Sequence, residues 1–352
     1  MLQRLDLRNV TVFRKAVFKF TKHINVIHGV NGSGKSHVLK LAYVLQHALA
    51  FPPSTSPDSP PAKGALQRIF ASELVEVFRP DSLGRLTTRT RGRVKATVEA
   101  RFLKTSQRTS FSFHTASRSE VKITQIPRNW EARPPVFIPP REALSMYPGF
   151  VSLYDAHAIE FDRTWRDLCQ LLGAPVARGP RAAGVHELLG PIEEVMGGRV
   201  DVDRAGRFYL VDDQGRIEMH LVAEGFRKLA MIARLIATGS LVGKGCLLWD
   251  EPEANLNPLL VQKVARVLFE LAAQGIQVFI ATHSLFLMRE LHILRKSLFK
   301  DVEARYFGLH LADGEVSVQQ GESLEQTGDF TALDQDLLQT DRYIDLETGA
   351  QS

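Results

Sequence analysis

Two stretches far apart in the chain carry residue types that belong together in phosphate chemistry. In "VIHGVNGSGKSHVLKLAY", Gly29-x-x-x-x-Gly34-Lys35-Ser36 has the spacing of a P-loop. Glycines there let backbone N–H groups curl around phosphate oxygens, a path that side chains would obstruct. Lys35 can reach the outer phosphates, and the Ser36 hydroxyl is placed to ligate Mg²⁺. Asn31, Gly32, Ser33 and His37 lie within or beside the loop and are expected to border a bound nucleotide. The second stretch, "CLLWDEPEANLNP", offers Asp250 and Glu251 side by side. Asp250 could hold Mg²⁺ through water, and Glu251 could polarise an attacking water as general base. Two adjacent carboxylates repel each other unless a cation is near. His283, in "VFIATHS", could bring a neutral imidazole to the γ-phosphate and to that water.

These residues need elements that aim them at one point. "INVIHG" reads as a short buried strand, and the residues after Ser36 as a helix whose N-terminus faces the anion. "CLLW" and "QVFIA" are continuous apolar runs. The helix between them has Asn257 as N-cap, Pro258 at its first position and Gly275 past its end. Strand, helix and strand of this kind imply a parallel sheet covered on both faces. The first 28 residues alternate as antiparallel strands do, and a helix is expected over 65–78. "RVKATVEARFL" sets Val94, Ala96, Val98, Ala100 and Phe102 on one face. With "TSFSFH" and "EVKITQI" it reads as a small antiparallel insertion over 80–127. "VFIPP" is a buried strand, residues 145–196 turn helical, and "DRAG" and "DDQG" signal hairpins.

The P-loop, the Asp-Glu-Pro of the second stretch and the later histidine together resemble the ABC-type ATPases. "DEPEANLNP" is similar to the soluble SMC-like and OLD-like branch, whose members are described as AAA-type ATP-binding proteins. The resemblance covers roughly residues 1–48 and 205–312. It implies an α/β P-loop NTPase of ABC-type head architecture, a mixed, largely parallel sheet with an antiparallel β insertion and a helical insertion. The division it suggests is a first ATPase part at 1–50 and a Pro-rich loop at 51–64. A helix plus basic sheet at 65–135 and a Q-loop-like strand with helices at 136–200 follow. A second ATPase part at 201–312 and an acidic tail at 313–352 complete it. It further implies ATP and Mg²⁺ as cofactors and a homodimer closing around two nucleotides. Lys35, Glu251 and His283 would be the catalytic residues, with Ser36 and Asp250 at the metal.

Two expected motifs depart from the family pattern. The signature loop, which contacts the opposite subunit's γ-phosphate, has one candidate, Ala223-Glu224-Gly225. Alanine lacks the usual hydroxyl and Glu224 adds negative charge, so Arg227 or Lys228 could supply the positive contact. The alternative is an ordinary amphipathic helix. The Q-loop position holds Arg141 and Glu142, and Glu142 could ligate Mg²⁺ or its water. The D-loop falls on 254–257. For the adenine only Arg8, Asn9 and Arg14 suggest themselves.

Composition is that of a soluble globular chain, 44% apolar and 24% charged. No run of 18 or more apolar residues exists, and the start lacks a signal-peptide core, so a cytoplasmic protein without a membrane partner is expected. Cys169 and Cys246 are expected as reduced thiols, which excludes a zinc site. Nine Lys/Arg between Arg79 and Arg108 face Asp81 and Glu99, a net of +7. From Gly321 onward eight Asp/Glu face Arg342 alone, a net of −7. The basic stretch (79–108) either contacts nucleic acid or forms a solvated sheet face.

With neither long heptad repeats nor room for an appended nuclease domain, the resemblance points to a stand-alone ATP-gated switch. It would control a separate effector, such as a nuclease or toxin, in a bacterial anti-phage or toxin–antitoxin-like locus. The alternative is a DNA repair or recombination ATPase whose basic stretch holds DNA. A transporter subunit is disfavoured by the degenerate signature and the absent glutamine.

Overall fold

The computed structural model describes residues 1–51, 61–103, 108–130, 133–147, 149–157, 159–177, 181–241, 245–328, 338–344 and 346. Most of the Pro-rich loop, Lys104 of the basic stretch and much of the acidic tail lie outside the described residues.

The chain opens with β1 (Leu2–Val10), β2 (Phe13–Lys19) and β3 (Ile24–Gly29), then α1 (Lys35–Ala50) and α2 (Lys63–Phe78). Next come β4 (Lys95–Phe102), β5 (Arg108–His114), β6 (Lys122–Gln125) and the short β7 (Val136–Ile138). A helical group, α3 (Phe150–Ala156), α4 (Arg163–Leu172) and α5 (Arg181–Met196), precedes a meander of β8 (Arg199–Val202), β9 (Phe208–Asp212) and β10 (Gly215–Glu218). The remainder is α6 (Glu224–Ala237), β11 (Cys246–Asp250), α7 (Pro258–Ala273), β12 (Gln277–Thr282), α8 (Leu285–Ser297), β13 (Ala304–Ala312) and β14 (Glu315–Gly321).

The central sheet runs β14-β13-β3-β12-β11-β7, parallel except for the β13–β14 hairpin. Every residue of β11 and β12 is buried, as strands covered on both faces require. One apolar core lies between this sheet and the helices α4 to α8; a second lies between it and the N-terminal sheet with α1 and α2.

The antiparallel strands expected over 80–127 form. They extend the first sheet, in the order β2-β1-β4-β5-β6, with Leu7 opposite Val98 on the shared register. The alternation in β4 was legible, with Ala96, Val98, Ala100 and Phe102 buried. The partner was not, because one apolar face suits any neighbour strand. The stretch expected to be helical over 145–196 is helical in three pieces. α3 stops at Ala156, and Asp162 starts α4 by accepting from the Thr164 amide at 2.9 Å.

α1 is anchored along its length. Tyr43 donates its hydroxyl to Asp167 at 2.7 Å, and Lys40 pairs with Asp162 at 2.7 Å. Arg163 joins Glu73 of α2 (3.0 Å) and Asp167 (3.2 Å). The helix behind the P-loop is thus tied to α4 and its N-cap, and α4 in turn to α2, through polar contacts that sit largely out of water.

Candidate functional site

The sheet order puts β12 between β3 and β11, with Thr282 opposite His28 and Asp250 opposite Ala281. The carboxyl ends of three parallel strands therefore lie in one layer, where open α/β sheets bind ligands. From these ends emerge the P-loop, Asp250–Glu251 and His283.

The P-loop geometry depends on missing side chains. Gly34 has φ 95°, and a Cβ there would lie 2.6 Å from Val12 and 2.8 Å from the Phe13 ring. At Gly29 a Cβ would meet the Leu309 carbonyl at 2.5 Å. Lys35 donates to the carbonyls of Gly29 (2.8 Å) and Val30 (3.2 Å) across the loop. Burial lowers its pKa, while the charges of Glu251, Asp250 and Glu253 oppose that. His37, one turn on, is also pushed down by burial and lies 5.7 Å from the Phe78 ring. Ser33 is fully buried within the loop, whereas Asn31 and Gly32 are exposed at its tip.

Asp250 ends β11 as a buried carboxyl whose pKa burial raises to about 6, with the Ser36 hydroxyl and the ammonium groups of Lys40 and Lys35 pulling it back. Glu251 leaves the strand at φ 48°, a left-handed conformation that costs energy for a residue with a side chain. Its amide donates to Ala281 of β12 at 2.8 Å. Its carboxylate lies 3.3 Å from His283 Nδ1, and His283 is more than half exposed. Glu253 accepts from the Thr282 hydroxyl and stands 3.9 Å from His283. Sequence reasoning passed over Glu253; its spacing two residues after Glu251 was the available signal.

A nucleotide with Mg²⁺ suits these residues. The glycine cradle leaves backbone open where a Cβ would intrude. Ser36 and Asp250 form a paired set of hard oxygen donors beside an ammonium group.

Other expected residues fall differently. Both oxygens of Glu142 are engaged: Oε1 accepts from Arg227 Nε (2.8 Å) and the Ser145 hydroxyl (2.6 Å), Oε2 from the Ser145 amide (3.1 Å). In this arrangement Glu142 is a partner of Arg227 and Ser145. Arg227, so paired, is not free to reach a second subunit, and neither is Lys228. The latter is buried, donates to the carbonyls of Glu251 and Ala254 at 3.0 Å each, and is lowered by burial to about 8. Glu224 accepts from Asn255 Nδ2 at 2.8 Å. Gly225 is buried, and a Cβ there would come within 2.9 Å of the Leu260 side chain of α7. Ala223 is exposed and caps α6 without a side-chain hydrogen bond. Asn9 binds the Lys95 carbonyl (3.1 Å) and Arg14 pairs with Glu315 (2.7 Å). Burial pushes both cysteine thiols up to about 12.

Solved structures of similar architecture are SMC heads. A head bound to the C-terminal winged-helix domain of ScpA matches at TM-score 0.57 and 15% identity, covering 92% of this chain and 98% of that one. A Pyrococcus furiosus Smc head with an extended coiled coil, bound to the C-terminal domain of ScpA, gives 0.54 and 13%, covering 97% and 99%. A Pyrococcus yayanosii Smc head with coiled coil and joint gives 0.54 and 12%, covering 92% and 98%. At such identities the likeness is one of fold. No curated protein matches. Among the described residues no helix is long and apolar enough to cross a membrane. Folded as an SMC-like ABC-type ATPase head and matched over residues 24–289, the chain belongs to the family described as "AAA domain, putative AbiEii toxin, Type IV TA system".

Proposed function

We propose that this chain hydrolyses ATP and works as a dimeric switch, two copies closing around two nucleotides and reopening after hydrolysis. One observation carries the reading. The adjacent carboxylates at the end of β11 are divided in their surroundings, Asp250 buried against Ser36 and Glu251 partly exposed beside His283. That division suits one carboxylate to a cation and the other to a proton. Ser36 and Asp250 would hold Mg²⁺, which supplies counter-charge to the phosphates when bound. Lys35 adds a second positive group. Glu251 draws the proton from water, and His283 orients that water and the terminal phosphate. Ala223, Glu224 and Gly225 present the N-terminal backbone of α6 to the other subunit's nucleotide.

We assign the switch to control of a separate effector, a nuclease or toxin, in bacterial anti-phage defence. The family description supports this direction, and the ScpA-bound head offers a precedent for this fold carrying a partner protein. The second reading, a DNA repair or recombination ATPase, draws on the exposed basic residues Arg91, Arg93 and Lys95. Duplex DNA that stimulates hydrolysis with a steep salt dependence would favour it.

Glu251→Gln tests the core of the proposal. It keeps shape and nucleotide contacts but removes the base, so hydrolysis should fall by a factor on the order of 10² to 10⁴. ATP should then trap a dimer, visible by sedimentation. A monomer with and without saturating ATP would overturn the switch.

A further inference from the structure

Outside the nucleotide site lies an open recess of about 940 Å³ built from the segment between α2 and β4 and bordered by Thr115. Arg79, Arg85 and Arg89 line it, Arg79 also donating to the Ile159 carbonyl (3.0 Å), and Asp81 is the one acid among its lining residues. The hydroxyls of Ser82, Thr90 and Thr115 add neutral donors. Asp81 offsets little, since it stands 3.8 Å from Arg85 with both side chains mostly in water. The chemistry of the recess, guanidinium groups and hydroxyls without an aromatic platform, suits phosphate oxygens and offers bases nothing to stack on.

The floor is fixed. Gly84 lies so close to the end of β5 that a Cβ would sit 2.2 Å from the Thr115 carbonyl, and its amide donates to Ser117 at 3.0 Å. Leu83 and Leu86 are buried in the second core. The far wall is bonded to the turn between β1 and β2. Thr11 N donates to Leu86 O (2.8 Å), Thr88 N to Asn9 O (3.0 Å), and the buried Thr88 hydroxyl to Phe13 O (3.2 Å). The turn held by these bonds carries Asn9 and Thr11 at positive φ, and its Val12 and Phe13 are the side chains packed against Gly34.

We infer that this recess binds the sugar-phosphate backbone of a nucleic acid, without reading its sequence, and that its occupancy is transmitted to the P-loop through the turn at residues 9–13. The binding part stands on the recess alone. The transmission rests on the ATPase reading above, and the two are measured separately.

A labelled 20-nucleotide single strand and a 20-base-pair duplex are titrated by fluorescence anisotropy, with a non-hydrolysable ATP analogue occupying the P-loop. The double variant Arg85→Glu/Arg89→Glu, both exposed positions, is expected to weaken binding about tenfold or more and to lower the salt slope by about two. The triple variant Arg91→Glu/Arg93→Glu/Lys95→Glu probes the neighbouring basic stretch. Loss only in the triple variant overturns the recess and leaves the DNA-binding reading standing; loss in neither overturns both. Thr88→Val keeps the arginines but removes the bond to Phe13. It should bind the oligonucleotide within about twofold of the parent while nucleic acid no longer changes its hydrolysis rate. Hydrolysis by the parent chain that is indifferent to saturating oligonucleotide, or a Thr88→Val response equal to the parent's, overturns the transmission.

Discussion

In the loop between β3 and α1 the backbone carries the chemistry, and side chains are absent where it must be reached. Gly29 and Gly34 sit where a Cβ would collide, and Lys35 is the one long group turned into the loop. At the N-terminal end of α6 the side chains are present but already engaged. Glu224 holds Asn255, Arg227 holds Glu142, and Lys228 holds the carbonyls of Glu251 and Ala254. The loop is built for a ligand, the helix end for its own chain. A residue whose hydrogen bonds are satisfied internally gains nothing by turning to a partner. The helix end can therefore offer only its main-chain N–H groups to a nucleotide held by another copy.

Lys35→Ala should show the largest effect. It removes a buried ammonium group from the loop, a change of about 3 kcal/mol or more in nucleotide affinity, which is roughly a hundredfold. Equilibrium dialysis with labelled ATP measures it. Binding within a factor of a few of the parent would mean the backbone alone suffices, and the contrast between the two regions would shrink.

That contrast also marks how far the sequence could be read. The P-loop and "DEPEANLNP" were legible because their function is written in local spacing: glycines at fixed offsets, a carboxylate pair ending an apolar run, Asn257 and Pro258 opening a helix. Asn257 does accept from the Leu260 amide at 2.9 Å. What was not legible depends on groups brought together from far along the chain. Glu142 and Arg227 are 85 residues apart, and nothing around either names the other. Glu142 read as a candidate metal ligand for that reason, and Arg227 and Lys228 as free cations. The continuation of the N-terminal sheet through β4 was hidden likewise, since alternation fixes a strand's faces but not its neighbour.

Lys228 supplies a medium-sized test through pH. Its folded pKa of about 8 lies below the ordinary lysine value, chiefly from burial, with Glu253, Glu224, Glu251 and Asp250 opposing. Below pH 8 both folded and unfolded chains hold the proton, so the cost of the buried charge is constant there. Above it, the unfolded chain holds more protons than the folded one, and the folded state gains as pH rises toward the unfolded value. Relative to Lys228→Met, the parent chain should therefore gain stability between about pH 8 and 10, by an amount on the order of 1–2 kcal/mol. Chemical denaturation at three pH values measures it. Parallel curves would show that Lys228 keeps its charge throughout and is less enclosed than its two carbonyl partners imply.

The smallest expected effect bears most directly on the helix end. Glu224 is the first residue of α6, and its charge would stand toward the phosphates of a nucleotide bound by another copy. Glu224→Gln keeps the carbonyl oxygen that accepts from Asn255 and removes only the charge. Two like charges a few ångströms apart in a water-rich interface repel by about 1 kcal/mol, so the ATP-trapped dimer of Glu251→Gln should tighten by roughly twofold to fivefold on adding this change. High salt should erase the gain, because exposed charges are screened within about a Debye length. Sedimentation at low and high ionic strength separates the outcomes. A dimer weakened at both would show that the carboxylate itself, as the acceptor fixing Asn255 and the turn after Glu251, is what the interface requires. An unchanged dimer would place the partner's phosphates beyond the reach of α6, and the comparison between the two regions would then describe one chain's packing rather than two faces of a shared site.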